Sequence, residues 1–287
     1  MAAKPVPHQC IWCLKDASSA TFRSRSHVLP KCIGNIEEQV LPTGVVCDEC
    51  NNYFSGELED RFIKEPILST LVEILGLRDK ESQFTYEHSQ SGVHRTAHIT
   101  ATVSANRINV TTQYEIEGQP DKSSEVRTRT KSNRYGRRGL AFLSRAVHKI
   151  AFESVAHNLF VGTGVETLSK EMEGMDILDH RFNVIRDWVR YGEPQNSVRP
   201  ALRILKFGEV KRQEQLWQWG GKAGGFQGST YYELNLFNDW YVMSLTSPAN
   251  KVKSDLLNWL RKRKPSNQVL MVGDKLQPME LFKLTSD

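Results

Sequence analysis

The clearest pattern in the chain is an apolar stripe that begins at Leu140. Apolar residues recur there at helical spacing as far as Leu159, which predicts a long helix. A second stripe from Leu178 to Trp188 stops before Gly192 and predicts another helix. Shorter helices are predicted after residue 51, from 67 to about 75 and near 252 to 260.

Several segments rich in Thr, Val, Ile and alternating polar residues predict strands. They lie at residues 84–87, 93–103, 107–116, 201–207, 231–237 and 240–245. The run Gly220–Gly225 lacks the spacing of a phosphate-binding loop, and its glycines predict a hairpin loop. His94 and His98 fall in one strand, where they would lie about 13 Å apart, too far to share a metal ion. The fold class predicted is therefore α+β.

Composition is that of an ordinary globular protein. Of 287 residues, 39% are hydrophobic and 25% are charged, which is enough apolar material for a core and too little charge for general disorder. The sequence has no apolar run of about 18 residues and no basic-then-apolar signal at its start, so we expect no membrane span and a cytoplasmic location. The net charge of +5 gives only a mild preference for acidic partners.

All the cysteines lie at or before Cys50. Four of them form two Cys-x-x-Cys pairs, Cys10 with Cys13 and Cys47 with Cys50, and two such turns provide the four sulfur ligands of one tetrahedral zinc ion. Disulfides fit poorly with a chain that shows no secretion signal, and a redox motif would not explain the second pair. We therefore predict a structural zinc site, with Cys32 left over as a small buried residue.

Two motifs accompany these pairs. Between them Ser26 and His27 are followed by Val-Leu-Pro-Lys, and Asn51 follows the last cysteine directly. Residues 8–65 thereby resemble the HNH, or ββα-metal, endonucleases, and most closely the zinc-knuckle subgroup with CxxC, SHxxP and CxxCN in this order. The resemblance implies an N-terminal zinc-braced ββα-metal (HNH) module, followed by a larger α+β domain of unassigned fold.

The same resemblance implies a metal-dependent endonuclease that hydrolyses phosphodiester bonds of nucleic acid, with double-stranded DNA as the expected substrate. His27 would be the general base that deprotonates the attacking water, and an ordinary histidine pKa of about 6.5 suits that task. Asn51 would be a ligand of a catalytic Mg2+ or Mn2+ ion. Glu59, on the helix after Asn51, would assist the metal or orient His27. Restriction, phage defence and mobile elements all use such enzymes.

Two departures from the family pattern leave an alternative open. Ser26 stands where an acidic metal ligand is common, and no histidine follows Asn51 in the place of the third motif residue. His27 could instead cap a turn, Asn51 could be the N-cap of a helix, and both Glu57 and Glu59 could lie on its solvated face. The alternative function is a zinc-knuckle protein that binds nucleic acid or senses a signal through a decayed HNH site.

The segment 118–139 is polar and basic, and within it Arg134, Arg137 and Arg138 are predicted to contact phosphates. A solvated loop is the alternative for such a charge run. A homodimer and an activating ligand are both compatible with the sequence. We divide the chain into a nuclease module at 1–80 and an α+β domain at 81–287 that selects the target or regulates the nuclease.

Overall fold

The computed structural model describes residues 4–30, 39–63, 84–90, 93–104, 107–116, 137–161, 175–192, 199–205, 220–226, 228–236, 239–263, 268–272 and 281–282. Cys32, Arg134, the helix predicted at 67–75 and the domain boundary predicted at residue 80 lie outside these ranges. Among the helices within them, none has both the length and the apolar composition that crossing a bilayer requires.

The predicted helix after the last cysteine is present as one helical run. It consists of α1 (Asp48–Phe54), a π-helical turn (Ser55–Glu59) and α2 (Asp60–Ile63). Phe54, Leu58 and Phe62, spaced four residues apart, are all buried and form the apolar face of this run. This run follows the second cysteine pair without a break, so the last cysteine and Asn51 lie in the first turns of the helix.

Three predicted strands form one antiparallel sheet. They are β1 (Phe84–Gln90), β2 (Val93–Ser104) and β3 (Arg107–Ile116), with β2 in the centre. In the register Phe84 pairs with Ile99, and Arg95 pairs with Ile116. His94 and His98 both lie in β2, as predicted.

The long predicted helix, α3 (Arg137–Val161), lies at the centre of the molecule. Every residue from Ala146 to His157 is buried, including charged and polar residues. A helix that is buried on all sides must be covered by other elements on every face. The elements that cover α3 are the N-terminal helical run, α4 (Asn183–Tyr191) and the strands of a second sheet.

The second sheet is antiparallel, and its described strands follow the order β5-β6-β7-β4-β8-β9. The strands are β4 (Ala201–Leu205), β5 (Gly220–Phe226), β6 (Ser229–Leu236), β7 (Asp239–Ser244), β8 (Gln268–Val272) and β9 (Leu281–Phe282). The strands predicted after residue 200 are confirmed as β4, β6 and β7. Helix α5 (Val252–Arg263), also predicted, packs against β7 over a small apolar cluster that includes Val242 and Trp259.

The hairpin loop predicted at Gly220–Gly225 is wrong, because these residues form most of β5. Gly221 pairs with Leu234 of β6, and Ala223 pairs with Tyr232. A Cβ atom at Gly221 would overlap the buried ring of Tyr232. Glycine is therefore required here by the close approach of an aromatic ring from the neighbouring strand, which is one of the reasons a strand carries glycine.

One apolar cluster joins the N-terminal residues to α3, α4 and the second sheet. At its centre Trp12 packs edge-on against Phe54 and Phe152, with ring centroids 4.9 and 5.0 Å apart. Each such aromatic contact contributes about 0.5–1.5 kcal/mol beyond the burial of surface. The N-terminal segment thus shares its core with α3.

Candidate active site

The four cysteines of the two pairs come together. The Sγ atoms of Cys10, Cys13, Cys47 and Cys50 all lie within 4.8 Å of one another, and Cys13 Sγ is 3.6 Å from Cys47 Sγ. A tetrahedral ion with zinc–sulfur bonds of about 2.3 Å places its sulfurs about 3.8 Å apart, so the four thiols can hold a metal ion of this kind. Three of the four side chains are buried.

Main-chain hydrogen bonds hold the two cysteine pairs against each other. The first pair closes a turn in which Leu14 N donates to Cys10 O at 2.9 Å, and Ile11 N donates to Val45 O at 2.9 Å. Leu14 has a φ of 60°, which turns the chain sharply away after the first pair. The second pair opens α1, and Asn51 N donates to Cys47 O at 3.0 Å.

His27 lies on a short antiparallel pairing between the two cysteine pairs. Val28 N donates to Gln39 O at 2.9 Å, and Leu41 N donates to Ser26 O at 2.8 Å. His27 forms the bridge with Val40 in the centre of this pairing. Its side chain is half-buried, whereas its neighbours Ser26 and Val28 are buried.

Asp48 fixes the chain that leads to His27. Its carboxylate accepts hydrogen bonds from Arg23 N at 2.9 Å, from Ser24 N at 2.8 Å and from the hydroxyl groups of Ser24 and Thr21. These donors stabilise the ionised carboxylate, the hydroxyl of Ser24 most strongly, and hold the pKa of Asp48 well below its ordinary value. A residue between the second pair of cysteines therefore sets the position of the loop before His27.

A buried charge network lies directly behind His27. Lys149 Nζ, from α3, donates to His27 O at 3.1 Å and pairs with Glu153 Oε2 at 2.9 Å and Glu59 Oε1 at 2.8 Å. The side chain of Lys149 is 2% exposed. Burial alone would lower the pKa of Lys149, but the carboxylates of Glu153 and Glu59 outweigh it and hold the pKa above its ordinary value. The ammonium group is therefore charged.

Glu153 is the centre of the same network. Besides Lys149, its carboxylate accepts a hydrogen bond of 2.9 Å from Trp12 Nε1 and hydrogen bonds of 3.3 and 3.4 Å from the hydroxyl of Ser26. Complete burial raises the pKa of Glu153, and the neighbouring ammonium group opposes that rise. One carboxylate of α3 thus holds the first cysteine turn, the residue before His27 and the ammonium group.

A protein-family model matches the segment that carries the cysteine cluster and His27. Residues 10–67 match the family model described as HNH endonuclease. The N-terminal segment is an HNH-type module. The match covers about a fifth of the chain and includes both cysteine pairs, His27, Asn51 and Glu59. Comparisons with curated proteins and with solved structures found no match.

Besides the four cysteines, the HNH module contains the three predicted catalytic residues in described positions. His27 lies on the pairing with Val40, Asn51 lies half-buried in α1, and Glu59 ends the π-helical turn. The N-cap of α1 is Cys47, so the alternative role of Asn51 as an N-cap is wrong. Of the arginines predicted to bind nucleic acid, Arg137 and Arg138 begin α3.

The alternative that Glu57 and Glu59 lie on a solvated helix face holds for one of them. Glu57 is exposed and pairs with Arg61 at 3.0 Å on the surface. For Glu59 the alternative is wrong, because its side chain is only 19% exposed and pairs with the buried Lys149. The charge of α3 draws this carboxylate inward.

The predicted catalytic ion fits the HNH module less well than the predicted zinc. Within the described ranges, the four cysteines are the group of His, Cys, Asp or Glu side chains placed to hold an ion. Of the residues expected near Mg2+ or Mn2+, Ser26 is engaged by Glu153, and one oxygen of Glu59 by Lys149. Among the described residues, no second group of three or more His, Cys, Asp or Glu side chains comes together around Asn51.

Sequence reasoning did not find Lys149 and Glu153 as parts of this site. They lie four residues apart, the spacing of an ordinary surface ion pair on a helix. One signal in the sequence could have found them. The residues between them, such as Ile150 and Phe152, are apolar, so the charged pair lies within an apolar stretch of the helix. A charged pair surrounded by apolar residues on all sides of a helix needs partners in the core.

Proposed function

We propose that this chain is an HNH endonuclease in which His27 is the general base. The observation that supports this most strongly is the family match over residues 10–67, together with the position of His27 between two clustered cysteine pairs. His27 would take a proton from water, whose oxygen then bonds to phosphorus while the bond from phosphorus to the leaving sugar oxygen breaks. Double-stranded DNA is the expected substrate, and restriction or phage defence the expected role.

We further propose zinc as the ion of the cysteine cluster, because four sulfur ligands at these distances suit it. Mg2+ or Mn2+ would be the hard ion near Asn51, where its chemistry would be to neutralise charge on the phosphate. Asn51 and Glu59 remain the candidate site residues on the helix, and Arg134, Arg137 and Arg138 the candidates for phosphate contacts.

The test is cleavage of supercoiled plasmid and of single-stranded DNA and RNA, with Mg2+ and Mn2+ titrated separately. We expect His27→Ala to lower the rate by at least about 100-fold, since general base catalysis is worth that much. His180→Ala is the matched control, because His180 is an exposed histidine outside the HNH module. Equal cleavage by wild type and His27→Ala, or no cleavage with either ion, would refute the proposed endonuclease activity.

One observation favours a second candidate function. Ser26 occupies the place of the acidic ligand, and Glu59 is neutralised by Lys149, so the site has fewer free carboxylates than the family pattern implies. A zinc-knuckle protein that binds nucleic acid without cutting it would show this arrangement. It would leave the plasmid supercoiled in the cleavage assay and would retard labelled DNA in a gel-shift assay.

A further inference from the structure

We propose that Lys149 is a positioning residue of the nuclease site. Its ammonium group fixes the main chain of His27 relative to the carboxylate of Glu59, and Glu153 holds the ammonium group in place. The inference rests on the function proposed above, with His27 as the base. Lys149 and Glu153 lie outside residues 10–67, so the HNH module receives this support from α3.

The contacts of Lys149 account for all that its ammonium group can donate. An ammonium group has three N–H donors, and Nζ has three oxygen partners, in His27, Glu59 and Glu153, at 2.8 to 3.1 Å. The side chain is also 2% exposed, so it cannot reach a phosphate in solvent. Lys149 therefore acts through His27 and Glu59 and not on the substrate.

Stability alone does not explain why the core keeps these charges. Removing an ion pair from water has a large free-energy penalty, and apolar residues of similar volume in its place are often neutral or stabilising. What an apolar pair cannot provide is three directed hydrogen bonds between three separate elements. Here those elements are the antiparallel pairing with His27, the π-helical turn with Glu59, and α3.

Ser26, the residue before His27, is held by Glu153 of the same charge network. Glu153 accepts the hydroxyl hydrogen bond of Ser26, and Lys149 donates to the carbonyl of His27, so two consecutive residues are tied to α3. The imidazole of His27 then keeps only its own side-chain torsions. A general base must lie within hydrogen-bond reach of the water that it deprotonates, and a displacement of about 1 Å lowers a rate by about 100-fold.

The decisive variant is the double change Lys149→Met and Glu153→Gln in the full-length chain. It removes both fully buried charges and leaves Glu59, whose side chain is 19% exposed, to be hydrated by solvent, and the amide oxygen of Gln can still accept from Trp12 and Ser26. We expect kcat for plasmid cleavage to fall at least about 100-fold while KM stays within about threefold, since binding is not affected. Zinc content and the thermal midpoint should match wild type. Lys15→Met is the matched control, because Lys15 pairs with Glu49 at 2.7 Å on the surface of the same module.

The outcomes separate the two proposals. If wild type cuts and the folded double variant cuts equally well, the role of Lys149 is refuted while the nuclease stands. If kcat falls only together with zinc content or thermal midpoint, the pair is structural and the inference is also refuted. If wild type does not cut at all, both proposals fail.

A second variant decides the case if the double variant does not fold. Glu59→Ala removes one of the two groups that the ammonium group orients at the site, while the buried ammonium group keeps Glu153 as a carboxylate partner. We expect kcat to fall at least about tenfold at steady KM. An unchanged kcat would overturn the part of the inference that places Glu59 at the site, because the ammonium group would then orient only His27 for the reaction.

Discussion

Trp12 Nε1 donates a hydrogen bond of 2.9 Å to Glu153 Oε1, although the two residues are 141 positions apart in the chain. Trp12 lies inside the first Cys-x-x-Cys turn, and Glu153 lies in the buried centre of α3. The cysteine cluster and the charge network behind His27 therefore meet at one hydrogen bond. We expect a change in either to affect the other through this hydrogen bond.

Loss of one cysteine should remove the metal and weaken the whole core. We expect about one zinc ion per chain of wild type, and almost none for Cys47→Ser, with a lower thermal midpoint because metal binding contributes directly to folding. Elemental analysis and thermal unfolding measure this. Cys32→Ser is the control and should keep its zinc, and folded wild type without zinc would contradict the prediction.

An acidic residue at position 26 should not restore the family pattern. Ser26 is 2% exposed and its hydroxyl donates to Glu153, so Ser26→Asp would set two buried carboxylates against each other. We expect the free energy of unfolding in urea to fall by roughly 3 kcal/mol. Adding Glu153→Gln should recover much of the loss, because an amide can donate to the new aspartate.

The control for this change is Ser55→Asp, at an exposed serine of the helical run that follows the last cysteine. It should alter the free energy of unfolding by no more than about 0.5 kcal/mol, as surface substitutions usually do. If Ser26→Asp proves as harmless as Ser55→Asp, the prediction is wrong and a carboxylate at position 26 is not repelled by Glu153.

The two kinds of glycine in β5 should respond differently to alanine. Gly221→Ala places a methyl group into the ring of Tyr232 and should lower the free energy of unfolding by about 1–3 kcal/mol, as overpacking does. At Gly224 an added methyl group would meet no atom within 4 Å, and the residue lacks a positive φ, so Gly224→Ala should be neutral or slightly stabilising. Urea unfolding of both variants checks this, and equal effects would contradict it.

The buried His148 should make the protein less stable in mild acid. Its Nδ1 donates to Ser144 O at 2.7 Å, while burial, and then the charge of Arg199, lower its pKa to about 3. Below about pH 6.5 this histidine is protonated in the unfolded chain but stays neutral in the folded chain. The free energy of unfolding therefore falls as the pH drops from about 6.5 towards 3.

This contribution should be about 1.4 kcal/mol between pH 7.5 and 5.5. It can be measured as the difference in free energy of unfolding at these two pH values for wild type and for His148→Gln. The variant should show a smaller loss by that amount, whereas any effect of acid on the cysteine cluster is common to both chains. Identical losses would show that His148 is protonated in the folded state.

Neutralising the predicted phosphate contacts should weaken binding to DNA without changing its sequence dependence. With Arg134, Arg137 and Arg138 all changed to Gln, we expect the slope of log K against log salt to become shallower by up to about 3, because each lost phosphate contact removes about 0.9. Fluorescence anisotropy over a salt series measures the slope. An unchanged slope would assign these arginines to a solvated segment.

Local patterns predicted the described helices α1 to α5 and the strands β1 to β4, β6 and β7, but not β5, β8 or β9. Helix α3 follows from the spacing of residues such as Leu143 and Val147, and α4 from its stripe and from Gly192, whose φ of 71° ends it. The cysteine pairs predicted their own cluster, because a Cys-x-x-Cys turn has few other uses. These are features that neighbouring residues in the chain decide among themselves.

Contacts between distant elements could not be predicted in this way. Nothing near Lys149 in the sequence indicates that its partners are His27 and Glu59, since a Lys and a Glu four apart are common on any helix surface. The glycines of β5 misled for a related reason. Their need arises from the ring of Tyr232 on another strand, and a pattern within residues 220–225 contains no trace of it.

The burial of α3 from Ala146 to His157 also has a consequence for the order in which the protein is made. During translation the HNH module is synthesised before Lys149 is added to the chain. Until α3 is synthesised, Trp12 has no acceptor in Glu153, and the carbonyl of His27 has no ammonium group behind it. A prematurely terminated chain that contains every residue of the family match would therefore lack these contacts of Trp12 and His27, which can form only after α3 has been synthesised.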